Sequence, residues 1–495
     1  LTAEQRELRN RLRAHARFLG DTRNANGEQE LNLLVVEIAY EHWHRMLFSR
    51  FLAENDLLMY EDGITPLAIS DCFELAEEET GDSSNGWRYA ANYAAKMLPQ
   101  IFRNDSPVFE IEFAPNHQKT LEQLLEGLDQ ATFQAQDALG WVYQFWQSRR
   151  KAEVNASEVK IGARELSPVT QLFTEPYMVS FLLDNALGAW WANQQLTEQD
   201  YVSAQSEAEL RQKAAIEGVP LHYLRFIRTY TPEQKTIIDQ AQSDGESIEK
   251  PEPLGPWEPA AGQFAQWPDH LAELKTLDPC CGSGHFLVAV FLMLVPLRMQ
   301  REDLSEQQAI DAVLRQNIYG LELDQRCVEI AAFALALEAW RYPNGGGYRQ
   351  LPELHLACSG LSVRAAKEEW KQLGLGKRNL TIALDWMHKE FSDAPVLGSL
   401  INPAKSSAAN IVSWDELSQT LNSALEQESS NEHNSEASQR SFEATVVAQG
   451  LAKAATMLAG KYQWVVTNVP YLARGKQDDT LKEFIEKHYP AGKND

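Results

Sequence analysis

Two kinds of hydrophobic pattern divide the chain. In the first 190 residues the apolar positions recur at helical spacing. Between Val35 and Leu52, the residues Ile38, Trp43, Met46 or Leu47, and Phe51 form one stripe at a period of 3.6, so residues 1–60 are expected to be helical. Arg45 and Arg50 punctuate that stripe, either as a solvated or ion-paired face or as phosphate contacts. Residues 61–136 are acidic and mixed, with Glu77-Glu78-Glu79 and Asp82 to Gly86 marking a surface loop and a further helix expected over 118–130. Leu139 to Trp146 predicts a strongly aromatic helix that ends in Arg149-Arg150-Lys151, a basic cap suited to a helix C-terminus or to a local DNA-facing patch. Leu166 to Val179 reads as a loop entering a helix, with Thr174 as N-cap and Pro176 in the first turn, and the helix runs on to Trp190-Trp191. A charged, helix-like region and a loop rich in Pro, Gly and Trp (Pro251 to Trp267) fill 195–273.

From residue 274 the pattern changes to short apolar runs alternating with longer helical ones. Strands are expected at 274–279, Ile318 to Asp324, Leu354 to Cys358 and Tyr462 to Thr467. Helices are expected at 284–299, at 305–316 and from Val328 to Trp340. Residues 361–460 read as mostly helical and polar, and the Ser/Glu/Asn-rich stretch from Gln427 to Ser441 as mobile. Strands alternating with helices imply an α/β fold with a parallel sheet and ligands at the carboxyl ends of the strands.

Length and charge narrow the picture. A chain of 495 residues has room for two or three domains. Its 45 basic and 70 acidic residues leave a net charge of −25, which argues against a generally adhesive nucleic-acid binder but permits a concentrated basic groove. No apolar run reaches membrane-spanning length and no signal-peptide pattern is present, so no membrane association is expected. Of the five cysteines, Cys280 and Cys281 are adjacent and Cys72, Cys327 and Cys358 are dispersed. Without a CxxC pair, neither a disulfide framework nor a zinc site is expected, which points to a reducing, cytoplasmic compartment. His42 and His44 read as packing or surface residues, since no carboxylate–histidine cluster accompanies them and no metal is expected.

Three strand ends carry candidate chemistry. The first is Asp278-Pro279 with the turn Cys280-Cys281-Gly282-Ser283-Gly284 and the following His285-Phe286. Its glycines permit positive φ and a close backbone approach to a ligand, and the Asp278 carboxylate suits a cationic group. The second is Glu322-Leu323, where an acidic residue ending a strand suits the two hydroxyls of a ribose. The third is Asn468-Val469-Pro470-Tyr471. The third glycine of a dinucleotide fingerprint is missing, and no G-x-x-x-x-G-K-[ST] occurs, so a nicotinamide enzyme and an NTPase are both disfavoured.

Asp278 to Phe286 resembles the S-adenosylmethionine motif (D-P-x-x-G-S-G-x-F) of the amino-group DNA methyltransferases, and Asn468-Val469-Pro470-Tyr471 resembles their N-P-P-Y catalytic motif. The order, cofactor motif first, is that of the gamma-class adenine methyltransferases. Thr174-Glu175-Pro176 resembles their upstream cofactor loop with one residue inserted. The N-terminal helices are similar to those of the large phage-defence type (BREX PglX-like, DISARM and Eco57I-like enzymes). Val469 stands where the family has proline, and Ser359, in Cys358-Ser359-Gly360-Leu361-Ser362, stands where the third motif usually has an acidic residue.

The resemblance implies a Rossmann-like methyltransferase sheet preceded by a large helical domain: 1–160 helical, 161–273 a cofactor-loop helix and inserted bridge, and 274–495 a methyltransferase core with an insertion over about 361–460. It implies S-adenosyl-L-methionine as cofactor, bound by Thr174, Asp278, Pro279, Gly282, Gly284, Phe286, Glu322, Leu323 and Ser359. Asn468, Val469, Pro470 and Tyr471 become the catalytic residues, acting on adenine N6 in double-stranded DNA within a phage-defence system, with other defence subunits as possible partners. The alternatives are a cofactor-binding scaffold or DNA-recognition subunit that is inactive alone, and an RNA or protein-amide methyltransferase. Gamma-class enzymes carry target recognition after the catalytic motif, so the native polypeptide is expected to continue past Asp495.

Overall fold

The computed structural model describes residues 1–24, 26–99, 101, 106–135, 138–157, 159–170, 174–244, 249–361, 378–405, 419, 436–469 and 471–493. Its centre is a four-stranded parallel sheet in the order β5–β4–β3–β6, formed by β3 (Thr276–Asp278), β4 (Ile318–Glu322), β5 (His355–Cys358) and β6 (Trp464–Val465). Register aligns Asp278 with Gly320 and Glu322 with Cys358, so the acidic residues stand at the carboxyl edge. The chain moves outward from β3 to β4 to β5, then returns to the other side of β3 as β6. The strand order therefore reverses between β3 and β6, which is where open α/β sheets bind ligands. The parallel sheet is as the alternation predicts; the strand expected over 462–467 is shorter, Trp464–Val465.

Helix α14 (His285–Glu302) follows β3 and is apolar around most of its surface, burying Phe286, Leu287, Val290, Phe291, Leu294 and Leu297. Burial on all sides follows from that composition. Helices α15 (Glu306–Gln316) and α16 (Gln325–Arg341) flank β4. Buried Arg298 fixes the α14–α15–β4 corner through Glu302 (2.6 Å), Gln316 (2.7 Å) and Asn317 (3.0 Å). Asn317 passes the connection on, donating to the carbonyls of Leu271 and Leu274 just before β3.

The N-terminal part is helical: α1 (Ala3–Leu19), α2 (Asn32–Glu54), α3 (Ile69–Thr80), α4 (Gly86–Met97), α5 (Pro115–Glu126), α6 (Gln130–Gln134), α7 (Ala138–Ser157) and α8 (Ala163–Thr170). Its apolar stripe does not close on itself. Phe48 of α2 stacks on Phe333 of α16 at 4.2 Å, and buried residues of α2, α4, α7, α14 and α16 belong to one continuous cluster. Arg45 is buried against the Phe109 ring, Arg50 pairs with Glu54, and burial lowers the His44 pKa to about 3.

Three expectations are corrected. Arg149 and Arg150 lie inside α7, which runs on to Ser157, and pair with Glu153 instead of capping a C-terminus. The segment read as a loop before Thr174 contains α8, with Pro168 inside it. Finally, Phe226–Arg228 and Trp257–Pro259 form an antiparallel ribbon, β1–β2, within the region read as helix-like and loop. Gln171 to Phe173, Ser362, Pro470 and most of the stretch from Gln427 onward lie outside the described residues; its end, from Glu436, begins a helix that runs to Ala459.

Candidate functional site

The glycine turn is the fixed point of the site. Gly282 and Gly284 have φ of 52° and 85°, the left-handed region that non-glycine residues enter at a cost. Their surroundings differ. A Cβ on Gly284 would lie 2.9 Å from Ala331 Cα and Cβ, so this glycine lets α14 start against α16. A Cβ on Gly282 would meet nothing within 4 Å among the described residues, so the turn keeps an open face towards them. A cleft of about 110 Å³ opens on the helix side of the turn, with Leu139, Pro176, Val179, Ser180, Ser283 and His285 in its wall.

Asp278 is 1% exposed. One oxygen accepts from the Cys280 N–H at 3.0 Å, while Oδ2 has no hydrogen-bond partner among the described residues. Burial drives its pKa to about 7, opposed by the neighbouring Thr467 hydroxyl and the Cys280 N–H and reinforced by Glu322. A buried, under-satisfied carboxylate is costly by itself and acquires value when a cationic ligand completes it. Thr467 Oγ1, beside this carboxyl, is buried, and no contact it makes among the described residues reaches full hydrogen-bond geometry.

Glu322 spans the neighbouring strand end. Its Oε2 accepts from the Gly282 N–H at 2.8 Å, and its Oε1 from Leu323 N–H (2.7 Å) and Asp324 N–H (3.3 Å). Burial raises its pKa and these N–H groups pull it back. A carboxylate has about four acceptor positions, so room remains for a ligand hydroxyl. Ser359, 1% exposed, straps β5 to the same corner: its N–H and hydroxyl both donate to the Glu322 carbonyl, at 2.7 and 3.2 Å.

The catalytic candidate sits across the sheet edge. Asn468 Nδ2 donates to Thr174 Oγ1 at 3.1 Å, and Oδ1 makes no hydrogen bond among the described residues. This corrects the expected role of Thr174. Glu175, not Thr174, is the N-cap of α9 (Pro176–Leu183) and makes no side-chain cap bond, while the Thr174 hydroxyl is turned to Asn468. A π-helical segment, Asp184–Gly188, continues directly from α9. There Asp184 accepts from the Tyr223 N–H, and Asn185 bonds the Phe181 and Tyr223 carbonyls and the Arg225 N–H. Val469 and Tyr471 are 50% and 76% exposed beside Asn468.

The structure thus brings Thr174, Asp278, Pro279, Gly282, Gly284, Glu322, Leu323, Ser359 and Asn468 to one edge of the sheet. The side chain of Phe286 is 4% exposed and packed in the main core. Thr467 was missed by sequence reading. Only its place just before Asn468 could have flagged it.

A cationic, ribose-bearing ligand such as S-adenosylmethionine fits these residues on three counts: the orphaned Asp278 oxygen, the open face at Gly282, and spare acceptor capacity on Glu322. Among the described residues no cluster of His, Cys, Asp or Glu could hold a metal ion, and no helix is long and apolar enough to cross a membrane.

Comparison with known proteins finds methylase families over the part of the chain that forms the sheet. Residues 258–345 match the family model of the MmeI DNA-methyltransferase domain, and residues 316–495 match that of the Eco57I restriction-modification methylase. The adenine-specific methyltransferase PglX of Lacticaseibacillus casei is 23% identical over all of this chain and 40% of its own length. The adenine-specific methyltransferase BrxX of Escherichia coli O9:H4 is 24% identical over 94% of this chain and 38% of its own length. A PglX of Streptomyces coelicolor is 30% identical over 22% of this chain. The chain therefore spans about two fifths of the length of the first two relatives. Methylase-domain matches thus run from residue 258 to residue 495, and over almost its whole length the chain is similar to relatives named adenine-specific methyltransferases PglX and BrxX.

Proposed function

We propose that the chain transfers a methyl group from S-adenosyl-L-methionine to the N6 nitrogen of adenine in double-stranded DNA, as part of a phage-defence system. The observation that carries this reading is the Asn468 amide, held by Thr174 with its oxygen making no hydrogen bond among the described residues, on the same edge as Asp278, whose Oδ2 makes none among them either. Bound at that edge, S-adenosylmethionine would supply an electrophilic methyl on a sulfonium centre.

The residues of the chain do the rest. Asp278 receives the amino group of the methionine end and Glu322 the ribose hydroxyls. Leu323 and Ser359 border the space beyond. The exocyclic nitrogen of adenine is a poor nucleophile because its lone pair is delocalised into the ring. Asn468 Oδ1 and the Val469 carbonyl accept its two hydrogens, which localises that lone pair and stabilises the positive charge that develops on nitrogen. Neither oxygen is basic, so the surplus proton leaves to solvent after transfer. Valine offers the same backbone carbonyl as the proline usual at that position.

The base must leave the duplex, at a cost of a few kcal/mol. Exposed Tyr471 offsets part of this by stacking, about 1–3 kcal/mol per base. The division into a helical domain (1–160), a cofactor-loop and bridge segment (161–273) and a methyltransferase core (274–495) belongs to this proposal.

The test supplies labelled S-adenosylmethionine together with DNA from a foreign host, tRNA, or protein, to the wild-type chain and to Asn468→Ala. Label in DNA that disappears with the substitution is expected. DNA label that survives it overturns the mechanism, and label only in tRNA or protein overturns the substrate.

A further inference from the structure

A part-buried polar chain links the glycine turn to the N-terminal helices. Gly282 N–H is held by Glu322, whose other oxygen accepts from the Asp324 N–H. The Asp324 side chain caps α16, accepting from the Arg326 N–H at 3.0 Å, and its Oδ2 accepts from the Tyr143 hydroxyl of α7 at 2.7 Å. The Tyr143 oxygen accepts from Gln147 Nε2 at 2.8 Å, one helical turn on. Arg326 extends the contact to α2, pairing with Glu37 while its guanidinium lies 4.5 Å from the centre of the Tyr40 ring. Tyr143, Tyr40 and Gln147 are 2%, 0% and 8% exposed. An apolar pair would fill this space without the cost of desolvating a carboxylate.

We propose that Tyr143 is a positioning residue for the cofactor's ribose, a helical-region clamp on Asp324 that keeps the Glu322–Asp324 loop in place when the ligand engages Glu322. The inference rests on the methyl-donor reading above. Without ligand the loop is held by the Glu322 oxygens themselves, and the Asp324 bond is the longest of the three at 3.3 Å. Ribose hydroxyls must share those oxygens, which weakens the internal bonds at the moment the loop has to stay ordered. The Tyr143–Asp324 bond is independent of the ligand, so it preserves the geometry and spares the ligand the cost of ordering it. The N-terminal helices thereby form part of the cofactor site without touching the cofactor.

Calorimetric titration of the chain with S-adenosylmethionine tests this, together with the KM and kcat of methyl transfer. Tyr143→Phe removes the hydroxyl alone. It is expected to weaken cofactor binding and raise the cofactor KM about tenfold, the loss of one charge-assisted bond, while kcat at saturating cofactor stays within about twofold. Gln147→Met, which removes only the second bond, is expected to weaken binding about threefold. Added to Tyr143→Phe it should cost nothing further, as for residues acting in series.

Tyr143→Phe that binds within twofold of wild type, or loses kcat with affinity unchanged, overturns the inference. If Tyr143→Phe does not fold, unchanged affinity in Gln147→Met overturns it. Wild-type chain that binds no S-adenosylmethionine overturns the methyl-donor reading itself, a result distinct from equal binding by wild type and variant.

Discussion

The two glycines of the turn should respond in opposite ways to the same added methyl group. Both have positive φ, so alanine at either costs about 1–2 kcal/mol of backbone strain. At Gly284 the methyl also collides with Ala331 Cα and Cβ at 2.9 Å, both part of the buried α16 backbone region with no flexible end to move. Overpacking of that kind adds about 1–3 kcal/mol. At Gly282 no atom of the described residues lies within 4 Å, so no such term arises from them. Gly284→Ala is therefore expected to unfold at a lower temperature than Gly282→Ala, by about 2–10 °C at the usual few degrees per kcal/mol. The ligand response is reversed. The Gly282 methyl projects into the open face assigned to the methionine end, so Gly282→Ala should lose more than tenfold in S-adenosylmethionine affinity, at least about 1.4 kcal/mol. Thermal melts by circular dichroism and calorimetric titration of both variants give the two readouts. Equal melting temperatures would refute the helix-packing role of Gly284. Wild-type affinity in Gly282→Ala would refute the placement of the ligand.

Other expectations follow from the same edge. Burial raises the Asp278 pKa from 3.8 to about 7, so below about 4 both folded and unfolded chains carry the proton, and above about 7 the folded chain bears the full cost of a buried charge, about 4 kcal/mol. Asp278→Asn should thus raise the melting temperature of the ligand-free chain at pH 8, by a margin that shrinks towards pH 5, while abolishing cofactor binding; a margin independent of pH would contradict this. Cofactor affinity of the wild type should fall as pH drops below about 7, because the protonated carboxyl no longer attracts an ammonium group; titration at pH 6 and 8 checks it. Thr174→Val removes the acceptor that holds Asn468 and should lower kcat about two- to tenfold with cofactor affinity unchanged, whereas Thr174→Ser should retain activity; equal rates in all three chains would exclude the positioning role. Glu322→Ala leaves three backbone N–H groups without their acceptor and should cost about 1–3 kcal/mol of stability as well as cofactor binding, read by chemical denaturation.

Local patterns made the central sheet legible. Asp278 to Phe286 announces a strand, a glycine turn and a buried helix within a few residues, and the spacing of the next apolar runs supplies the parallel order. Features built by distant residues were not legible. Thr174 looks like an N-cap from its neighbours alone, but its partner is Asn468, 294 positions away. Tyr143 reads as one more core aromatic until Asp324, 181 positions on, is found against its hydroxyl. The β1–β2 ribbon pairs three residues with three, too few for a period of two to emerge. The basic run at Arg149 resembled a helix end because its charges stand together, yet α7 continues on the apolar contact of Val154.

The central claim is that Asn468 presents adenine N6 to a methyl group held at the β3 and β4 strand ends. Single-molecule methylome sequencing of cells that express the gene, in wild-type form or with Asn468→Ala, tests it most directly. N6-methyladenine at one recurring DNA sequence in the wild-type cells, absent from the Asn468→Ala cells, is the expected result. Adenine methylation that is the same in both would contradict it.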